Sequence, residues 1–207
     1  MTYLWILLAV VLIVGPIFSL LPSRRQKEQM AIRRRAMAAG IGVELTRIED
    51  PDPDPEKYRL ASGRKTERVL SVVAYKIQRN RPADWRKVPK LYWCLLKGPG
   101  EDESLLPPWA WHGTELKEFD PAFIEFLQGA LKELPADVVK LEERNWVINL
   151  YWHEKGARGS AQEKDFHTAI ERVDGVVSFM KALAERPAHV PLEDDPGDTD
   201  SPDEGTV

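Results

Sequence analysis

From Tyr3 to Leu21 the chain runs nineteen residues without a charge. At about 1.5 Å of rise per residue, such a helix spans roughly 28 Å, close to the ~30 Å hydrocarbon core of a bilayer. The pattern predicts a transmembrane helix over residues 1–21, with Tyr3 and Trp5 at its outer end and a mild kink at Pro16, which has no backbone donor. A cleaved leader is the rival. No Lys or Arg precedes the run and no Ala-x-Ala site follows it, which argues for an anchor that stays.

Past the run the pattern changes. Residues 22–40 are dense in Arg and predict a basic juxtamembrane helix that continues the span as a stalk and stops at Gly40, where the left-handed cap conformation costs little. Val43 to Ile48 alternates and predicts an edge strand. "EDPDPDPEKY" follows, in which Pro51, Pro53 and Pro55 remove three donors and predict an extended surface loop. Val69–Gln78 and Leu91–Lys97 are rich in β-branched and aromatic residues and read as strands. "KGPGEDESLLPPWAWHG" reads as a second long loop.

Two amphipathic helices are signalled by their caps. Asp120 followed by Pro121 opens one, with Phe123, Phe126, Leu127, Ala130, Leu131 and Leu134 at helical spacing. Ser160 to Glu163 reads as a capping box before the other, whose stripe runs from Phe166 through Val173 and Met180 to Leu183. Between them Val139 and Leu141 alternate with Lys140 and Glu142. Trp146, Ile148, Leu150 and Trp152 then alternate with their neighbours, so a hairpin is predicted with its turn at Glu143-Arg144-Asn145. Strands in series without a βαβ repeat predict an α+β fold: an N-terminal transmembrane helix plus stalk, then a small antiparallel sheet packed by two amphipathic helices over residues 41–186.

Charge sharpens this organisation. Of the net −4, +5 lies in residues 22–40 and −7 in residues 187–207, which leaves −2 for residues 41–186. That balance is not the footprint of a nucleic-acid-binding domain. Residues 187–207 have too little apolar surface to offset chain entropy and are predicted to be a disordered acidic tail. Arg24, Arg25, Lys27, Arg33, Arg34 and Arg35 all follow the apolar run. The positive-inside rule then puts the C-terminal domain in the cytoplasm of a bacterial inner-membrane protein, with these six residues facing the membrane surface. Cys94 is the lone cysteine, which excludes an internal disulfide; flanked by Trp93 and Leu95, it reads as core packing.

Candidate chemistry is sparse. His153-Glu154 opens like a zinc-protease motif, but Ala157 stands where the second His belongs and the segment ends a strand. No metal site and no cofactor are predicted. Glu142 and Glu154 stand near one another across the predicted hairpin, as a carboxylate pair or as two solvated charges. Arg158, in a Gly-flanked connection ahead of a helix N-terminus, is a candidate anion-binding residue, weighed against a plain flexible connection. Seven Trp is a high count. Trp109, Trp111 and His112 follow two prolines. Either the rings cap the core under a long loop, or they form an aromatic patch that docks a partner.

The stretch "LLPSRRQKEQM", Leu20 to Met30, resembles the membrane exit of the YajC family, accessory subunits of the bacterial Sec translocase. Pro22, Arg24, Arg25, Gln26, Lys27 and Glu28 match that family in type and order. The resemblance implies one N-terminal span, a following helix, a small β-domain and a place in protein export. Residues 60–186 have no counterpart there. The expectation is therefore a single-pass membrane protein whose domain binds another protein, as scaffold or assembly factor. Two alternatives stay open: a YajC-like accessory of preprotein translocation, and a membrane-tethered enzyme working at the Trp109–His112 loop.

Overall fold

The computed structural model describes Tyr3 and residues 23–54, 56–59, 66–82, 85–88, 91–98, 107–154 and 164–189. The expected span over residues 1–21 lies outside them apart from Tyr3, as do Arg158 and residues 190–207 of the expected disordered tail; residues 187–189 of that tail pack on the domain instead, with Ala188 buried and its carbonyl accepting from the Asp120 N–H. Among the described residues no helix is long and apolar enough to cross a membrane.

Helix α1, Arg24–Ala38, has its own start. Ser23 is extended (φ −61°, ψ 159°), its hydroxyl accepts from the Gln26 N–H, and the Gln26 side chain accepts from the Ser23 N–H. This reciprocal cap breaks the helix away from whatever precedes it, which corrects the continuous stalk read from the sequence. Nor does α1 stand free: Ile32 and Ala36 are buried in the core. It ends at Gly40, whose φ of 88° suits glycine as expected.

Six strands follow: β1 (Gly42–Glu49), β2 (Val69–Gln78), β3 (Trp93–Lys97), β4 (Trp109–Gly113), β5 (Val138–Arg144) and β6 (Val147–Trp152). Helix α2, Pro121–Leu131, comes after β4, and helix α3, Lys164–Glu185, after β6. The sheet is antiparallel throughout, in the order β1-β2-β6-β5-β3-β4, so β1 is an edge strand as its alternation suggested. One face carries Val73, Tyr75, Ile148, Leu150, Trp152 and Leu95, and the buried stripes of α2 and α3 complete a single core with it. Asp120 and Pro121 open α2 as predicted, the Asp120 carboxylate accepting from the Ala122 N–H.

Three local expectations change. The proline-rich stretch after Lys97 ends in strand β4, because Trp109–Gly113 finds the free edge of β3, pairing Leu95 with Trp111. Gly113 permits that pairing: at φ 127°, a Cβ there would lie 2.3 Å from the Tyr92 carbonyl oxygen. The hairpin turn sits one residue later than the alternation implied, at Asn145-Trp146, both with positive φ (53° and 66°). A bulge between Val138 and Lys140 brings Val138 onto the buried face instead of Val139.

Candidate functional site

Glu143, which the alternation puts in the hairpin turn, is interior. It is the penultimate residue of β5, on the core face, beside Arg79 just past β2. The Arg79 guanidinium donates to both Glu143 carboxylate oxygens at 2.7 and 2.8 Å, and the Trp93 indole N–H donates to Glu143 Oε2 at 2.9 Å. The remaining Arg79 nitrogen donates to the carbonyls of Leu183, at 2.8 Å, and of Arg186. These are carbonyls at the C-terminal end of α3, where a cation also meets the negative end of the helix dipole. The Arg79 and Asn80 N–H groups complete the seam, donating to the Trp146 and Ala184 carbonyls.

This buried cluster forms one wall of a cleft of about 570 Å³. Arg81 and Trp85 come from the connection after β2, Tyr92 from the entry to β3, Arg144 and Trp146 from the hairpin turn, and His189 from the chain leaving α3. The Arg81 and Arg86 guanidinium groups lie 5.3 and 5.5 Å from the Trp85 ring centre, within cation–π range. Burial, helped by the Arg79 charge, lowers the His189 pKa from its ordinary value. Among the described lining residues Glu143 is the single carboxylate, and Arg79 and Trp93 occupy it. Its surface thus combines cations with aromatic rings, an arrangement suited to an anionic partner with apolar groups alongside the charge.

A second buried pair ties α1 to the sheet. Glu154, just beyond β6 with φ 49°, has a side chain with no exposed surface. Arg33 donates to it from Nε at 2.9 Å and from Nη2 at 2.5 Å, and the Tyr75 hydroxyl donates at 2.6 Å. Hydrogen bonding to Glu154 raises the Arg33 pKa further, while burial and then the Glu154 charge push the Tyr75 hydroxyl far above its ordinary value. Glu142 lies elsewhere, accepting from the Tyr151 hydroxyl at 2.5 Å and pairing with Lys140 at 2.8 Å. The carboxylate pair considered across the hairpin therefore does not form, and neither residue is a solvated charge. Arg33 likewise leaves the set of six membrane-facing cations, since its charge is committed to Glu154. Arg35 pairs with Asp174 of α3, whereas Arg25, Lys27 and Arg34 are exposed and Arg24 is described only in its backbone.

Trp109 and Trp111 are 5% and 6% exposed, which rules out the aromatic docking patch. Trp111 stacks on Trp93 at 5.9 Å and meets Phe119 edge-on at 5.1 Å, and Phe119 stacks on Phe123. Its indole N–H donates to the Thr114 carbonyl. Four rings satisfy one another, so none is left to offer a partner. His112 is exposed on β4 opposite Cys94. The tethered-enzyme reading loses the loop on which it rested. Cys94 is buried, and burial pushes its thiol up to about 11, in keeping with core packing. Among the described residues, no three His, Cys, Asp or Glu side chains are grouped to hold a metal ion.

Comparison with protein-family models, with curated proteins and with solved structures finds no match to this chain.

Proposed function

We infer that the chain is a single-pass inner-membrane protein whose cytoplasmic domain binds another protein, as scaffold or assembly factor, and that an acidic segment of that partner docks in the Arg81–Arg144–Trp146 cleft. The observation that carries this reading is the cleft itself: two cations without a carboxylate partner among the described residues, set beside Trp85, Tyr92 and Trp146. Rings of this size, with Arg, are the residues that dominate protein interfaces. The nineteen uncharged residues and the one-sided basic flank support the anchor and its orientation. A YajC-like accessory role rests on Leu20 to Met30 alone, and no feature of the sheet domain adds to it.

The test joins topology to docking. A phosphatase fused after Val207 should be inactive and a fluorescent protein there bright; an active phosphatase would reverse the orientation. A photo-cross-linker at Trp146 in intact membranes should capture a partner, and Arg81→Glu with Arg144→Glu should abolish that capture while the far-ultraviolet spectrum and melting temperature hold. Capture that survives both charge reversals would move the docking site elsewhere.

A further inference from the structure

We propose that the groove between α1 and the β1–β2 edge of the sheet holds the headgroup of an anionic phospholipid from the bilayer that the apolar run enters. This rests on the anchor reading above. The groove measures about 900 Å³, and Arg25, Gln29, Leu45, Arg47, Ser71 and Val73 are among its lining residues. Leu45 pairs with Val73 and Arg47 with Ser71 in register, so both β1 residues stand on the face that elsewhere carries the core. Yet Leu45 is 70% exposed. On that face a leucine is normally covered by a helix, and here α1 leaves it open.

The charges divide in a definite way. Arg33 borders the groove, but buried Glu154 takes its guanidinium. Arg25 and Arg47 are exposed and have no carboxylate partner among the described residues, and no carboxylate is among the described lining residues. Two cations beside a bare leucine and a serine hydroxyl match a phosphodiester with the first carbons of its acyl chains: charge for the phosphate, Ser71 and Gln29 for its polar oxygens, Leu45 for the glycerol–acyl boundary.

Chain geometry keeps the groove within reach of the headgroup layer. Arg25 follows Leu21, the last apolar residue, by four positions, so the two lie at most roughly 14 Å apart at ~3.6 Å per residue. The headgroup region on each side of the hydrocarbon core is about 5–8 Å thick. Because the Arg33–Glu154 pair locks α1 to the sheet, Arg47 is carried to that level with Arg25. A free stalk would not bring a strand residue there.

The experiment uses the full chain in nanodiscs of phosphatidylcholine with phosphatidylglycerol, and native mass spectrometry counts the retained lipid. Wild type should keep one phosphatidylglycerol in preference to phosphatidylcholine. Arg25→Gln with Arg47→Gln should reduce that preference on the order of tenfold or more, since each removes a guanidinium lining the groove that would donate to the phosphate. Lys27→Gln with Arg34→Gln removes the same charge from exposed positions of α1 and should leave the preference standing. Equal loss in both pairs, or loss in neither, overturns the groove as a lipid site. Displacement of the lipid by millimolar inorganic phosphate would also overturn it, by showing a site that reads a soluble anion. Alkaline carbonate extraction checks the anchor separately. Both variant pairs should stay in the membrane pellet, and release of wild type would defeat the anchor reading rather than the lipid preference.

Discussion

Arg79–Glu143 and Arg33–Glu154 are both forked guanidinium–carboxylate pairs, and they hold different things together. Arg79 is 1% exposed in its side chain; it joins β2, β5, β3 and the end of α3, with Trp93 and two carbonyls consuming what the ion pair leaves over. Arg33 is 24% exposed, and its pair joins α1 to β2 and the end of β6 through Tyr75. The first pair is buried between the core and the cleft and ties four elements together, so its loss strikes the whole domain. The second sits at the margin, so its loss strikes one helix. A buried ion pair gains little over a well-packed apolar substitute, but half of one is costly, because the remaining charge has neither water nor partner. The difference between the two sites is therefore one of reach.

Glu143→Ala is the harshest break. It strands the Arg79 charge and the Trp93 N–H, and should cost about 3–5 kcal/mol, a drop on the order of 10 °C in melting temperature for a domain of this size. A loss under ~1 kcal/mol by urea titration would mean that water reaches Arg79.

Cys94 is buried on the opposite face of β3 from Trp93, beside Glu142, and probes that other side of the sheet by pH. Its thiol is raised in the fold, so its contribution is complete below the ordinary value of 9.0 and is lost as pH climbs toward about 11. Two units correspond to about 2–3 kcal/mol. The urea midpoint should fall between pH 9 and pH 11, and Cys94→Ala should remove that part of the fall. Identical pH profiles for the two proteins would show a thiol open to solvent.

Arg33→Ala should cost about 2 kcal/mol, with the damage confined: amide exchange should quicken at Ile32 and Ala36 while β5 and β6 keep their protection. Loss of protection across the sheet would erase the contrast between the two pairs. Tyr75→Phe removes one donor to Glu154 and keeps the ring, so about 1 kcal/mol is expected in the same assay. At the small end, Arg35→Ala breaks only the exposed Asp174 pair and should leave the melting temperature at the wild-type value. A clear drop there would show that α1 is held by its rim rather than by Glu154.

Local pattern was enough for much of the fold. Alternation marks β1 and both arms of the hairpin, and β-branched and aromatic content marks β2 and β3. Asp120-Pro121 marks the start of α2, and Gly40 the end of α1, because caps and turns are decided within a few residues. It was not enough for β4, whose five residues follow a run of Gly and Pro and become a strand only because the edge of β3 is free. Trp109 and Trp111 were open to two readings for the same reason: two large rings in a row of loop residues look alike whether they face a partner or the chain's own Phe119 and Trp93. The bulge at Val138 put it on the buried face in place of Val139, and the later turn at Asn145-Trp146 kept Glu143 within β5 and so on the core face.

By itself the sequence determined the uncharged run, the basic flank behind it, the acidic segment, the α+β class and most element boundaries, since all of these follow from composition and short periods. Only the tertiary structure decided which charges are spent and which remain. Arg33 meets Glu154 across 121 residues and Arg79 meets Glu143 across 64, separations over which no local period carries information. Once those two arginines are committed inside, Arg25 and Arg47 at one groove and Arg81 and Arg144 at one cleft are left to face outward. A charge buried beside its counter-ion and a charge held in water read the same along the chain; the dielectric around them, which folding creates, makes them different.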